Sequence, residues 1–346
     1  MSNAHTHEYQ LIRPLYESLG IKIREIISEN LRLKELSSYL ITDRAKSVDS
    51  FNKKIKRKQY EDPLNDITDL CGVRVIAYVE DDVDKICTVI SELFEIDEDR
   101  SINKNDELGE DRVGYKSVHL ICRLKVDRLV LPEYVKYKSL TFEIQVRTIL
   151  QHSWAEIEHD RSYKFSKVLP KEMKRRLMLL SGTLELVDRE FNQLSREIDD
   201  YSSTVKDQAV IGKLNIPIDS FSLEEYLNVK FAKLVQEIDM EPSFADQDSG
   251  ILQEIKDFGL YTLQDLEEIF PKDFIKVMAK LYGNGRYSNY LGALRDVMMI
   301  NNIEKYAEKS FQHNFIIPKS ISPLLTHYKV DMSKFPPTAF EKEDDI

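Results

Sequence analysis

The chain has 346 residues, 60 acidic and 49 basic side chains and a formal charge of −11, a length that suggests about two domains, each with its own core. Its 42% hydrophobic and 32% charged content, with 15 Phe and 17 Tyr, excludes disorder of the whole chain; no run of about 18 uncharged apolar residues exists to span a bilayer, and the polar N-terminus lacks an apolar signal segment. Three scattered cysteines, Cys71, Cys87 and Cys122, with no CxxC pair, exclude a disulfide framework or zinc ribbon and fit a reducing compartment, so a cytoplasmic protein with no membrane partner is expected.

In chain order, residues 9–36 carry Leu11, Leu15, Leu19, Ile23, Ile26 and Ile27 near helical spacing and predict an amphipathic helix. A short extended piece, Tyr39-Leu40-Ile41, leads into Arg44–Lys58, which holds seven basic residues and one acid, Asp49. Such a run is either a solvated face or a phosphate site. Ser47 is the predicted N-cap of a helix inside it. A buried strand is predicted over Val73–Val79, a helix over Asp81–Phe94, a polar loop over Asn103–Arg112, and two more strands over Ser117–Lys125 and Leu140–Arg147. Alternating β and α signals of this kind imply α/β or α+β layering around a mixed sheet. Helix follows from Ile149 to about Tyr201, interrupted near Pro170, and then a linker at Gly212–Asp219. Beyond it only helices are predicted: Leu223–Ile238, Ile251–Phe258, Leu263–Tyr282 and Tyr290–Phe311. The last thirty residues, with four of the eleven prolines, read as irregular. The domain expectation is therefore N-terminal helices and a basic segment (1–60), a core with trailing helices (61–205), a linker (206–220) and an acidic all-α domain (221–346). Residues 211–346 hold 15 basic and 22 acidic side chains.

The familiar catalytic signatures GxxxxGK[ST], HExxH and GxSxG are absent, and Gly283-Asn-Gly285 reads as a loop between helices. His152, Glu156 and His159 share one helix face, but a carboxylate-bridged metal pair needs a second ExxH, and none is present; packing against the sheet and a nucleotide is the expected use of that face. Asp69 and Glu143 are the better pair. Asp69 ends a turn before the first buried strand, and strand alternation puts Glu143, Gln145 and Arg147 on one face, opposite Phe142, Ile144 and Val146. That polar face is either solvated or the kind of place where carboxylates from neighbouring strands hold Mg²⁺ together with substrate phosphates, with nearby cations neutralising the phosphates. Gly114-Tyr-Lys-Ser-Val-His119 adds a ring, Tyr115, suited either to stacking on a base or to packing at a turn.

Taken in order, Arg44-Ala-Lys46 with Ser50 and Lys54, Asp69-Leu-Cys-Gly72-Val-Arg74, Gly114-Tyr115-Lys-Ser117-Val-His119, Glu143-Ile-Gln145-Val-Arg147-Thr148, and His152-Ser-Trp-Ala-Glu156-Ile-Glu-His159 with Tyr163-Lys164 resemble the synthetase domain of the RelA/SpoT family of (p)ppGpp synthetases, over roughly residues 10–205. The resemblance implies a nucleotidyltransferase-like mixed sheet flanked by helices. It implies transfer of the β,γ-pyrophosphate of ATP to the ribose 3′-OH of GTP or GDP with Mg²⁺ as cofactor. By the same resemblance Asp69 would hold Mg²⁺, and Glu143 would assist the metal or activate the 3′-OH. Arg44, Lys46, Ser50, Lys54 and Arg74 would bind ATP; Tyr115 would stack on the acceptor guanine; Lys116, Ser117, His119, Gln145, Arg147 and His152 would line the acceptor and phosphate pocket. Only His5 and His7 precede the basic segment, so the HD-type hydrolase domain of the long family members is not expected, nor is their cysteine-bearing regulatory tail. The expectation is a small, synthesis-only alarmone synthetase with an extra helical region. Two alternatives stay open: a toxic relative that modifies the tRNA 3′ end or adenosine nucleotides, with the C-terminal region inhibitory, and a non-catalytic nucleotide sensor. The expected partners are ATP and GTP or GDP, or tRNA in the first alternative; a homo-oligomer is compatible with the sequence.

Overall fold

A computed structural model describes residues 2–58, 60–103, 117–165, 170–238, 240, 250–282, 289–310 and 321–334. The chain divides into two units, Met1–Arg196 and Glu197–Ile346.

The first unit begins with α1 (Ser2–Leu33) and continues through β1 (Leu40–Ala45), α2 (Val48–Lys58), α3 (Pro63–Asp66), β2 (Cys71–Ala77), α4 (Glu80–Leu93), β3 (Phe94–Ile96), β4 (Ile102–Asn103), β5 (Val118–Leu124), the single turn α5 (Val126–Leu129), β6 (Phe142–Thr148), α6 (Ile149–Phe165) and the first part of α7 (Lys171–Val210). The strands form one mixed sheet in the order β1–β2–β6–β5–β3, with β4 also pairing with β5. Among the described residues, β2 and β6 pair parallel and the other pairings are antiparallel. The crossover between the two parallel strands contains α4, β3, β4 and β5, as a parallel connection requires a long return path.

Alternation gives the sheet two chemically distinct faces. Cys71, Val73 and Val75 of β2, Phe142, Ile144 and Val146 of β6, and Val118, Cys122 and Leu124 of β5 are buried in one core with Tyr9, Leu19, Ile23 and Ile27 of α1 and Ile86 and Ile90 of α4. The predicted 9–36 helix thus starts earlier and stops at Leu33. α1 lies close on the sheet at Gly20, where an added Cβ would stand 3.2 Å from Asp43 Oδ2 and 3.4 Å from Cys71 Sγ. The opposite face carries Thr42 and Arg44, Gly72 and Arg74, Glu143, Gln145 and Arg147, and His119, in register across four strands: Arg44 faces Gly72, Gly72 faces Glu143, Arg74 faces Gln145, and Gln145 faces His119.

Several boundaries differ from the sequence expectation. The short extended piece at 39–41 is a six-residue edge strand that runs on into the start of the basic run and includes Arg44. Leu263–Tyr282 is two helices, α10 (Leu263–Ile269) and α11 (Phe274–Tyr282), because Pro271 forces Phe270 to an extended ψ of 125°. Tyr290–Phe311 is also two helices, α12 (Tyr290–Asn301) and α13 (Ile303–Ser310). Asn302 is extended, and its side chain accepts from Lys305 N at 3.0 Å, capping α13. The C-terminal stretch expected to be irregular contains α14 (Ser322–His327) and a single 3₁₀ turn, Met332–Lys334.

The expected linker, 206–220, is not one. α7 extends to Val210, and the division between units falls inside that helix. Residues 214–218 pair with 261–264: Ile218 N donates to Tyr261 O, Leu263 N to Ile216 O and Gln264 N to Leu214 O. Leu214 and Ile216 are buried in the second core together with Val205; apolar side chains at alternate positions gave this stretch a place in the second unit. That unit is otherwise helical, with α8 (Ser220–Glu237) and α9 (Ile251–Asp257) beside α10 to α14. Its core gathers Leu227, Phe231, Phe274, Tyr290, Leu294 and Met298. Reciprocal capping boxes start α8 at Asp219 with Ser222 and α10 at Thr262 with Asp265. Of the expected polar loop, Asn103 ends β4, and residues 104–112 lie outside the described residues, as do the expected loop at Gly283–Gly285 and residues 335–346. Among the described residues, no helix is long and apolar enough to cross a membrane.

Candidate functional site

Lys46 follows the edge strand directly. Its backbone is held from two sides, by Lys46 N donating to Leu70 O at 2.9 Å and by Tyr9 Oη and Arg13 Nε donating to Lys46 O at 2.7 and 3.1 Å. Ser47 then caps α2, accepting from Ser50 N at 3.2 Å. The helix returns Lys54 to the turn that ends at Asp69: Lys54 Nζ donates to Asp69 Oδ1 at 2.8 Å, and Lys46 Nζ donates to Asp69 Oδ2. Burial alone would raise the Asp69 carboxyl; the two ammonium groups override it and hold the group below the ordinary carboxylate range. Lys46, Ser50, Lys53, Lys54, Arg57 and Asp69 line a cavity of about 360 Å³. Lys53 and Arg57 were not among the residues singled out from the sequence. The signal was there: 50, 53, 54 and 57 are i, i+3, i+4 and i+7 of one helix face.

Glu143 anchors the other half. Its Oε1 accepts from His119 Nδ1 at 2.6 Å and its Oε2 from Gln145 Nε2 at 3.1 Å. His119 Nε2 lies 2.8 Å from Ser117 Oγ, so Ser117, His119 and Glu143 form a chain in which the carboxylate can only accept. Burial pushes the Glu143 carboxyl up, the His119 bond pulls it down, and the Asp69 charge pushes it up again; the net position is below the ordinary value. The two carboxylates therefore sit in each other's field.

Beyond Glu143 the face turns cationic. Arg147 is 6% exposed, and burial, then the neighbouring Arg74, pulls its guanidinium down to about 10. Its Nη2 donates to Gln145 Oε1. Arg74 Nη1 donates to Glu156 Oε1 at 2.8 Å. Burial and the Arg147 charge push the His152 imidazole below its usual pKa. Arg74 Nε, Arg147 Nε and His152 Nδ1 are buried without a hydrogen-bond partner among the described residues. Orphaned donors grouped on one face suit an anionic oxygen-rich ligand such as a phosphate chain.

The structure thus brings Lys46, Ser50, Lys54 and Asp69 into one cavity, and Ser117, His119, Glu143, Gln145, Arg147 and His152 into a linked row. Arg74, expected on the ATP side, pairs with Glu156 next to Arg147 and His152. Arg44 stands on β1 opposite Gly72, exposed. Tyr115, expected on the acceptor base, and Lys116, expected in the acceptor and phosphate pocket, lie outside the described residues, as do Gly114 and the side chain of His159. Among the described residues no three His, Cys, Asp or Glu side chains converge as a metal-binding group. Asp69 and Glu143 fit an ion that takes few protein ligands: each carboxylate retains lone pairs beyond its present bonds, and Mg²⁺ typically uses one or two carboxylates with substrate phosphates and water.

Residues 43–168 match the family described as "Region found in RelA / SpoT proteins". The match is confined to this segment. Every residue of the two clusters lies inside its limits, whereas α1, the whole of α7 and the second unit's helices lie outside. The chain is 28% identical over 165 residues to the GTP pyrophosphokinase YjbM of Bacillus subtilis, covering 46% of this chain and 73% of that protein. It is 29% identical over 161 residues to the GTP pyrophosphokinase YwaC of the same organism, covering 45% and 73%. Among solved structures, the small alarmone synthetase 2 of Bacillus subtilis aligns with a TM-score of 0.47 and 24% identity, over 55% of this chain and 99% of that one.

Proposed function

We propose that the RelA/SpoT region transfers the β,γ-pyrophosphate of ATP to the ribose 3′-OH of GTP or GDP. The observation that carries this is the Asp69–Glu143 pair on a sheet face flanked by cations on both sides, inside a segment shared with proteins named as GTP pyrophosphokinases. In such a reaction the 3′-oxygen forms a bond to the β-phosphorus, the bridging bond from that phosphorus to the α-phosphate oxygen breaks, and AMP leaves. Catalysis is positioning and charge stabilisation, with no covalent nucleophile required. The Lys46, Lys53, Lys54 and Arg57 cavity binds the triphosphate of the donor. Arg74, Arg147 and His152 meet phosphate oxygens with their orphaned donors. Glu143, kept ionised and oriented by His119, takes the proton of the 3′-hydroxyl. Asp69, with Glu143 beside it, would hold Mg²⁺, which supplies charge neutralisation at the phosphates.

The test is guanosine-dependent AMP release from ATP, followed by ion-exchange chromatography in the presence and absence of EDTA. Glu143→Gln and Asp69→Asn are expected to lower the rate by at least about 100-fold with an unchanged far-UV spectrum, and EDTA is expected to abolish it. Wild-type-like turnover in either variant overturns the assigned roles.

A further inference from the structure

The helix α7 lies wholly beyond the RelA/SpoT region, yet its inner face reaches the phosphate end of the site through a chain of buried polar contacts. β6 ends at Thr148, directly after Arg147, and Thr148 caps α6, which presents His152 in its first turns. The cap is reciprocal: Thr148 N donates to Gln151 Oε1 at 3.0 Å, and Gln151 N donates to Thr148 Oγ1 at 3.2 Å. The single hydroxyl proton of Thr148 goes to Asp188 Oδ2 of α7 at 2.6 Å. Thr148 and Asp188 are 0% and 2% exposed, and Asp188 Oδ1 has no hydrogen-bond partner among the described residues. A buried carboxylate with one bond is costly, and a purely structural contact needs no charge there.

One and two turns further along the same face, Asn192 and Arg196 grip α4. Asp81 N donates to Asn192 Oδ1 at 2.9 Å, Asn192 Nδ2 donates to Asp81 Oδ1 at 3.0 Å, and Arg196 donates to both Asp81 oxygens. Residues 188, 192 and 196 thus form a stripe with two tasks. Asn192 and Arg196 dock the helix; Asp188 touches the one residue that joins the strand bearing Arg147 to the helix bearing His152.

We propose that Asp188 is a positioning residue for the phosphate-binding end of the site, acting through Thr148 to fix Arg147 relative to His152. This rests on the pyrophosphoryl-transfer reading for its kinetic consequence but not for its structural one. A carboxylate that orients Thr148 Oγ1 fixes the first turn of α6, and a small tilt there moves the imidazole away from the guanidinium whose charge it feels.

The experiment uses the full chain with Asp188→Ala, Asp188→Asn, Thr148→Val, the Asp188→Ala/Thr148→Val pair and, as a docking control, Asn192→Ala. Two readouts are followed: the NMR titration of the His152 ring, and separate KM values for ATP and for the guanosine acceptor. Expected in Asp188→Ala are an upward move of the His152 titration midpoint, as Arg147 and Arg74 separate from the ring while Glu156 remains, and an acceptor KM raised about 10-fold with the ATP KM within about 2-fold. Asp188→Asn, which still offers Thr148 an acceptor oxygen, restores both. The double variant is no worse than Thr148→Val alone, as expected when one residue acts through the other. Asn192→Ala lowers thermal stability but leaves both readouts in place. The proposal is overturned if Asp188→Ala leaves the His152 midpoint unchanged, or if both KM values rise together. A wild-type chain that makes no product refutes the transfer reading, and the His152 titration then decides the positioning claim by itself.

Discussion

Asp188 also makes a quantitative statement about folding. Burial, followed by the Glu80 charge, raises its pKa from 3.8 to about 6 against the opposing Thr148 hydrogen bond. A carboxyl whose folded pKa is raised favours the folded state while protonated, so its contribution is fully present below about pH 4 and is lost as pH rises through about 6. Two units correspond to roughly 3 kcal/mol. The stability of Asp188→Asn relative to wild type is therefore expected to move by up to about 3 kcal/mol in the variant's favour between pH 4 and pH 7, measured by urea unfolding across that range. A difference that stays constant with pH contradicts the raised pKa. Asp69 and Glu143 behave oppositely: both are held below their ordinary values, so their contribution is present at neutral pH and is lost only as the solution is acidified through the folded values.

At the scale of elements, α2 shows how local chemistry builds the site. Ser47 caps it, Phe51 is buried beneath it, and its outward face carries the cavity-lining Ser50, Lys53, Lys54 and Arg57. Ser47→Ala is expected to cost about 1 kcal/mol of stability and to raise the KM for ATP, read by denaturant unfolding and steady-state kinetics; unchanged values would show that packing alone holds the helix. The same element shows what was legible beforehand. Cap, basic run and strand alternation were readable because they are periodic and local, and they placed Lys46, Lys54, Asp69, Glu143, Gln145 and Arg147 on the correct elements. Arg44 read as part of the basic run because an exposed edge strand carries little hydrophobic signal. The pairing of Arg74 with Glu156 spans 82 positions, and the contact of Thr148 with Asp188 spans 40. No window of sequence contains such contacts; they exist only once the sheet has formed.

At the scale of the molecule, two separate cores explain why the chemistry concentrates in one part. The first is built on the sheet with α1 and α4, and the second on Leu227, Phe231, Phe274 and Leu294. The stretch at 206–220 looked like a linker because Gly212 and Pro217 punctuate it, while the tertiary pairing of 214–218 with 261–264 has no local signature. All proposed site residues belong to Met1–Arg196. A fragment of residues 1–212 is therefore expected to retain guanosine-dependent AMP release within about 10-fold of the full chain on a per-folded-molecule basis. Complete loss in a fragment with native helix and sheet content would place a necessary group in the second unit.

The most direct measurement is acceptor competition. The full chain is incubated with Mg²⁺ and γ-labelled ATP while GDP, GTP, unlabelled ATP and tRNA are offered together, and the labelled products are separated. The account requires label on the ribose 3′-position of the guanosine nucleotide with one AMP formed per product. Label confined to tRNA or to an adenosine nucleotide, or ADP in place of AMP, would contradict it.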